Sequence, residues 1–253
     1  EIEDVILGCA TPEGEQGLNI ARVAALRAGL PLSTPGATVN RFCASGLEAI
    51  AIAAERIRAG DAEVILAGGV ESMSRTSFLD IHSHPNPTLF QNAPNTFLNM
   101  GLSVEQLSRK YDITREQADE FALQSHLKAI RAQDEGLFDA EIAPMQTEIQ
   151  TVDECGRPQR EPITLSKDEG PRRDTSLESL AKLKPAFRPD GLITAGNASQ
   201  RSDGAAAVIV MSERKANALG LKPQLRFVGY TTAALAPEDF GVAPAYAIPK
   251  LLN

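Results

Sequence analysis

The chain has 253 residues, 43% of them apolar and 23% charged, enough for one large core or two smaller ones. It has no run of eighteen apolar residues, so no membrane span is expected, and no leader of the secretory kind is expected either. The net charge of −8 argues against nucleic acid as the main partner, yet leaves room for a local basic pocket around a phosphorylated ligand.

Val5-Ile6-Leu7-Gly8 reads as a short buried strand. Asn19 to Leu30 reads as a helix, with Ile20, Val23, Ala24 and Ala28 stepping round one face. Ala37 to Phe42 reads as the next strand, and Leu47, Ile50, Ala51, Ala54 and Ile57 follow the spacing of a helix packed on a sheet. Gly60 suits the exit of that helix, and Val64 to Ala67 is a third strand, with Gly68-Gly69 at its end. Strand, helix, strand, helix, strand implies an α/β domain with parallel strands. Residues 75 to about 100, rich in Pro, Asn, Ser and Thr, mark a long excursion. Ser103-x-x-Gln106 and Thr114-x-x-Gln117 read as capping boxes of two helices, the second ending at Gly136. Residues 150–190 read as polar and irregular. Ala205 to Met211 is an apolar strand, Ser212 caps a short helix ending at Gly220, and Gln224 to Thr231 alternates like a strand.

Cys9, Cys43 and Cys155 are odd in number and far apart, which disfavours a disulfide framework or a zinc cluster. His82-x-His84 could mimic a metal pair, but it lies in a Pro/Asn-rich segment, and no metal site is assigned. Cys43 is different. It sits where a strand gives way to a helix, and the unpaired N–H groups and dipole of a helix start stabilise a thiolate. Small residues follow it, Ala44, Ser45 and Gly46, which would let a substrate approach. A free cysteine is more often a small buried apolar residue; the junction sets Cys43 apart as the candidate nucleophile.

Asn40-Arg41-Phe42-Cys43-Ala44-Ser45-Gly46 resembles the acyl-enzyme motif of the thiolase family. Gly68-Gly69-Val70-Glu71-Ser72-Met73-Ser74 resembles that family's next landmark. Met100-Gly101-Leu102-Ser103, Lys184-Pro185-Ala186-Phe187, and Thr194-Ala195-Gly196-Asn197-Ala198-Ser199 leading into Ser202-Asp203-Gly204-Ala205-Ala206 resemble it too. The pieces occur in the family's order and cover nearly the whole chain. Arg41 before Phe42-Cys43 looks more like the degradative 3-ketoacyl-CoA thiolases than the acetoacetyl-CoA type.

The resemblance implies an α/β fold: a thiolase-like layered αβα half carrying an inserted, mostly helical or irregular loop domain. Residues 1–74 and 191–253 would form the α/β core of this N-terminal half, and 75–190 the CoA-binding insert. The implied activity is acyl transfer in β-oxidation and lipid metabolism. A 3-ketoacyl-CoA would be cleaved with CoA to acetyl-CoA and a shortened acyl-CoA, through an acyl-thioester on Cys43. Met100, Arg172, Ser179, Leu183, Phe187, Ala195 and Ser199 match the CoA-binding positions. Arg172 would meet a phosphate. Leu183 and Phe187, read as one helical turn apart, would form an apolar wall, and Ala195 and Ser199 would flank the pantetheine arm. CoA is a substrate here, and no cofactor or metal is implied. Partners would be CoA, acyl-CoA thioesters and a second copy of the chain, as a dimer or tetramer, in the cytoplasm or, for a eukaryotic source, in mitochondria or peroxisomes.

The family's Gly-His-Pro, second Cys-x-Gly-Gly and Asn-Glu-x-Phe motifs do not occur in this sequence, nor does its opening strand. An unpaired gap in the sheet is expected where that strand would lie. Little or no turnover is expected of this chain alone, since those motifs supply the partner acid and base. Two other readings compete: a non-catalytic, thiolase-like acyl-CoA-binding protein or inactive fragment, and a ketoacyl-synthase type of condensing enzyme.

Overall fold

The computed structural model describes residues 2–76 and 85–253, and His82 and His84 lie outside the described residues. By its internal contacts the chain divides into two compact units: 1–94 with 201–236 and 242–253, and 95–200 with 237–241.

The first unit is built on a four-stranded sheet of β1 (Asp4–Gly8), β2 (Gly36–Val39), β3 (Val64–Ser72) and β6 (Asp203–Met211), in the order β2-β1-β3-β6. β1 runs parallel to β2 on one side and to β3 on the other. β1 thus takes ladder partners along both edges, while β2 and β6 are the edge strands and most of β6 is exposed. β6 is antiparallel to β3, which departs from an all-parallel sheet.

Alternation along β1 divides the core in two. Val5 and Leu7 point to one face, where they pack with Ala21 and Ala25 of α1 (Ile20–Arg27). Ile6 points to the other, where it packs with Ala49 and Ala53 of α2 (Ser45–Ala59) and with Ile65 and Ala67 of β3. A strand covered on both faces is apolar throughout, as Val5-Ile6-Leu7 is. Asn19 caps α1 by accepting the Arg22 N–H, and Gly60 ends α2 in the left-handed conformation.

Glycines bring α2 down onto the sheet. A Cβ on Gly8 would overlap the backbone of Ser45 and Gly46, and one on Gly68 would overlap the Ala206 carbonyl. Gly68 and Gly69 thus lie inside β3, which runs on to Ser72, rather than at its end. α3 (Pro87–Asn92) also belongs to the first unit.

The second unit holds α4 (Met100–Lys110), α5 (Arg115–Asp134), a hairpin of β4 (Met145–Val152) and β5 (Pro158–Leu165), and α6 (Leu177–Ala181). Thr114 and Gln117 form the expected capping box of α5, and Gly136 follows that helix with a positive φ of 68°. Ser103 is no cap: α4 starts earlier, where Asn99 accepts the Gly101 N–H, and Ser103 is buried in its interior. Residues 191–200, expected with the α/β core, are held in this unit. Leu192 and Ile193 donate their N–H groups to the buried Glu105 carboxylate, at 3.1 and 2.9 Å.

In the first unit, Ser212 caps α7 (Glu213–Ala218) and α8 (Ala243–Leu252) ends the chain. Gln224 to Thr231 forms no strand. The Arg58 guanidinium takes the Phe227 and Val228 carbonyls, at 2.9 and 3.2 Å, in place of a ladder partner. No helix among the described residues is long and apolar enough to cross a membrane.

Candidate active site

Cys43 lies exposed in the tight turn between β2 and α2, two residues before the helix begins. The turn is fixed by side chains on either side. Asn40 Oδ1 accepts the Phe42 N–H at 2.7 Å, an Asx turn, while Asn40 Nδ2 donates to the Ala10 carbonyl at 2.9 Å. Ser45 Oγ accepts the Arg41 N–H at 2.7 Å and donates to the Phe42 carbonyl at 2.6 Å. Phe42 is held at a φ of +47°, a left-handed conformation that is strained for a bulky residue. Ser45 is therefore a lock on the turn, not an opening for substrate, and a Cβ on Gly46 would meet Gly68 and Gly69 of β3 only at ordinary van der Waals distance.

The helix presents its positive end here. Its capping residue, Ala44, has no side chain that could occupy the first-turn N–H groups. On the other side of the turn, Arg41 Nη2 donates to Glu48 Oε1 at 3.0 Å, and the Tyr230 hydroxyl also donates to Glu48. Arg41 first, then Tyr230, holds the Glu48 carboxyl below the usual range.

Behind the turn lies a polar cluster that sequence reasoning missed. Glu71, two residues past the Gly8–Gly69 pairing, accepts the Ala10 N–H at 2.8 Å. Its other oxygen takes the Thr11 N–H and hydroxyl, at 3.1 and 2.7 Å, and the Gln16 amide at 2.6 Å. Burial pushes this carboxyl up, but the donors from Ala10, Thr11 and Gln16 outweigh it and hold it below its ordinary value.

The buried Cys9 thiol also points at Glu71, 3.6 Å away. Burial, and then the Glu71 charge, push that thiol from 9.0 up to about 11. Cys9 is thus inert at neutral pH. The stability tied to its neutral form is complete below pH 9.0 and is lost as pH rises toward 11. The melting temperature is expected to fall over that interval, and Cys9→Ala to flatten the fall. Equal slopes in thermal melts of the two proteins at pH 8–11 would contradict this.

The matched CoA positions all lie in the second unit. Met100 is half exposed at the start of α4, and the Phe187 ring covers its neighbour Gly101. Leu183 packs on Gly196, beside Ala195. The structure thus brings Leu183 against the 194–199 turn and Phe187 against the start of α4. Leu183 and Phe187 do not share a helical turn, because α6 stops at Ala181. Ser179 is engaged with Ser176 in the capping box of α6, and Ser199 Oγ donates to the Gln200 carbonyl at 3.1 Å. Arg172 is exposed. Its N–H meets His126 Nδ1 at 3.1 Å, and its guanidinium pairs with Asp174 at 3.3 Å.

Charged groups beneath this surface set the turn. Asn197 Oδ1 accepts the Thr194 N–H at 2.7 Å, and its amide donates to Asp119 at 2.9 Å. Asp119, buried, pairs with Arg115 at 2.7 Å, and Arg115 reaches the Leu183 carbonyl at 3.2 Å. Removing one partner of such a pair would leave the other charge buried and uncompensated. Only the i, i+4 spacing of Arg115 and Asp119 on one helix hinted at it in the sequence. Among the described residues no group of three or more His, Cys, Asp or Glu side chains could hold a metal ion.

A sheet with helices on both faces and an exposed cysteine just before the start of one of them defines an α/β protein with its cysteine at a strand-to-helix junction. The chain belongs to the thiolase family: residues 1–214 match the model for the thiolase N-terminal domain. It is 45% identical to a 3-ketoacyl-CoA thiolase of Bacillus subtilis, over all of this chain and 64% of that one. The acetyl-CoA acetyltransferase structure from Bacillus anthracis matches 99% of the chain and 64% of its own length, at 41% identity and a TM-score of 0.83. The dimeric peroxisomal thiolase of Saccharomyces cerevisiae matches 99% of the chain and 62% of its own length, at 37% identity and a TM-score of 0.86. The chain thus spans a little under two-thirds of the length of these relatives.

Proposed function

We propose that this chain supplies the nucleophile and the CoA-binding surface of a thiolase-type acyltransferase acting on 3-ketoacyl-CoA. The observation that supports it is the exposed Cys43, held by a strained turn at the uncapped start of α2. The Cys43 sulfur attacks the 3-keto carbon, and the bond between carbons 2 and 3 breaks. Acetyl-CoA leaves once its carbanion takes a proton, and the shortened acyl group stays on sulfur until the CoA thiol accepts it. The Cys43 N–H, at the positive helix end, faces the developing oxyanion. Met100, Leu183, Phe187, Ala195, Ser199, Ser179 and Arg172 would bind CoA as substrate, with self-association of the chain as part of the same reading. A degradative role in lipid β-oxidation is the finer form of the proposal.

Iodoacetamide labelling followed by peptide mass spectrometry tests it. Cys43 should label far faster than Cys155, which is also exposed, and than buried Cys9. Turnover of 3-ketoacyl-CoA by the 253-residue chain alone should stay at background, because the family's partner acid and base motifs are not in this sequence. Slow labelling of Cys43 with CoA binding retained would favour the non-catalytic acyl-CoA-binding reading instead.

A further inference from the structure

We propose that Glu71 is the positioning residue for Cys43, acting through Ala10 and Asn40 along an unbroken line of hydrogen bonds. The proposal rests on the reading of Cys43 as nucleophile and adds the group that holds it in place. The line has three links. The Glu71 carboxylate fixes the Ala10 N–H at 2.8 Å. The carbonyl of the same residue accepts Asn40 Nδ2 at 2.9 Å. Asn40 Oδ1 then holds the Phe42 N–H at 2.7 Å, one residue before the cysteine.

Each link has a job that its neighbours cannot do. Phe42 stands at a φ of +47°, and such a conformation persists only where the surroundings impose it. Asn40 imposes it from one side, but an asparagine on a turn is itself free to rotate unless its amide is fixed. The Ala10 carbonyl fixes it. Ala10 lies beyond the end of β1, so the ladder with β2 and β3 does not hold it. What holds it is Glu71, which gathers Ala10, Thr11 and Gln16 on its two oxygens. Gln16, itself buried, returns to β3 by accepting the Ser72 N–H at 2.6 Å, so the anchor is braced on its own strand. One carboxylate thus joins the segment after β1 to the end of β3, and the segment carries the turn.

The test uses the chain itself and two readouts: the Cys43-to-Cys155 iodoacetamide labelling ratio, and amide hydrogen exchange of the peptide spanning 39–46. Glu71→Gln leaves an amide N–H facing a donor in place of an acceptor, and Asn40→Ala removes the middle link. Each is expected to lower the labelling ratio about tenfold and to speed exchange in that peptide, with Cys155 unchanged as internal control. The double variant should fall no further than the worse single one, since both cut one line. Multiplying effects in the double variant, or an unchanged ratio in either single variant, would overturn the proposal. Should Glu71→Gln fail to fold by circular dichroism, Asn40→Ala, on an exposed turn, decides alone by the same two readouts. A wild-type Cys43 that labels no faster than Cys155 would instead sink the reading of the nucleophile, so the two failures are distinguishable.

Discussion

Cys43→Ala should remove covalent acyl capture altogether. Incubated with an acyl-CoA, the wild-type chain is expected to gain the mass of one acyl group, and peptide mapping should place it on Cys43. The reaction exchanges one thioester for another and needs no carbon–carbon chemistry, so it is open to a chain that does not turn over 3-ketoacyl-CoA. Cys43→Ser tests the same point more finely, since an alcohol at this position is far more weakly ionised than a thiol. An acyl adduct that persists in Cys43→Ala, or that maps to Cys155 in the wild type, would refute the assignment. Cys9 is already disfavoured, because burial and Glu71 keep its sulfur protonated.

Gly8→Ala is expected to damage the first unit severely for a single added methyl. The added Cβ would meet the backbone of Ser45 and Gly46, and backbone cannot swing aside as a side chain can. Overpacking of this kind costs about 3 kcal/mol. It also lifts the first turn of α2 from the sheet, so the cost extends to the Cys43 turn. Gly204→Ala in β6 is the control, since nothing lies within 4 Å of a Cβ there. Urea melts should show a clearly lower midpoint for Gly8→Ala and little change for Gly204→Ala. Equal midpoints would refute the close approach.

The run β1–α1–β2–α2–β3 was legible because each element buries a face at its own period, two for strands and 3.6 for helices. The hairpin of β4 and β5 was not legible. Met145-Gln-Thr-Glu-Ile-Gln-Thr-Val152 has few apolar residues to alternate, and most of both strands is exposed. Its turn is set by Asp153 Oδ1, which accepts the Cys155 and Arg157 N–H groups at 2.9 and 2.8 Å. Gln224 to Thr231 misled in the opposite way, because alternation reports a face and not a partner, and Arg58 claims two of its carbonyls.

The place of Cys43 in the fold was readable from the junction, and its chemical role remains a proposal. What braces it was hidden for a geometric reason. Glu71 meets Ala10 and Thr11 across about sixty residues only because the Gly8–Gly69 register aligns two strand ends. No local spacing encodes that meeting. Arg115, Asp119 and Asn197 were hidden likewise, by a contact that joins a helix to a turn 78 residues away.

The backbone at Phe42 has an evolutionary corollary. A glycine there would adopt the same φ without penalty, so a more robust protein lies one substitution away. Such a chain would also relax more readily into turns that aim the sulfur elsewhere. Selection for durability and selection for reactivity therefore pull this position in opposite directions.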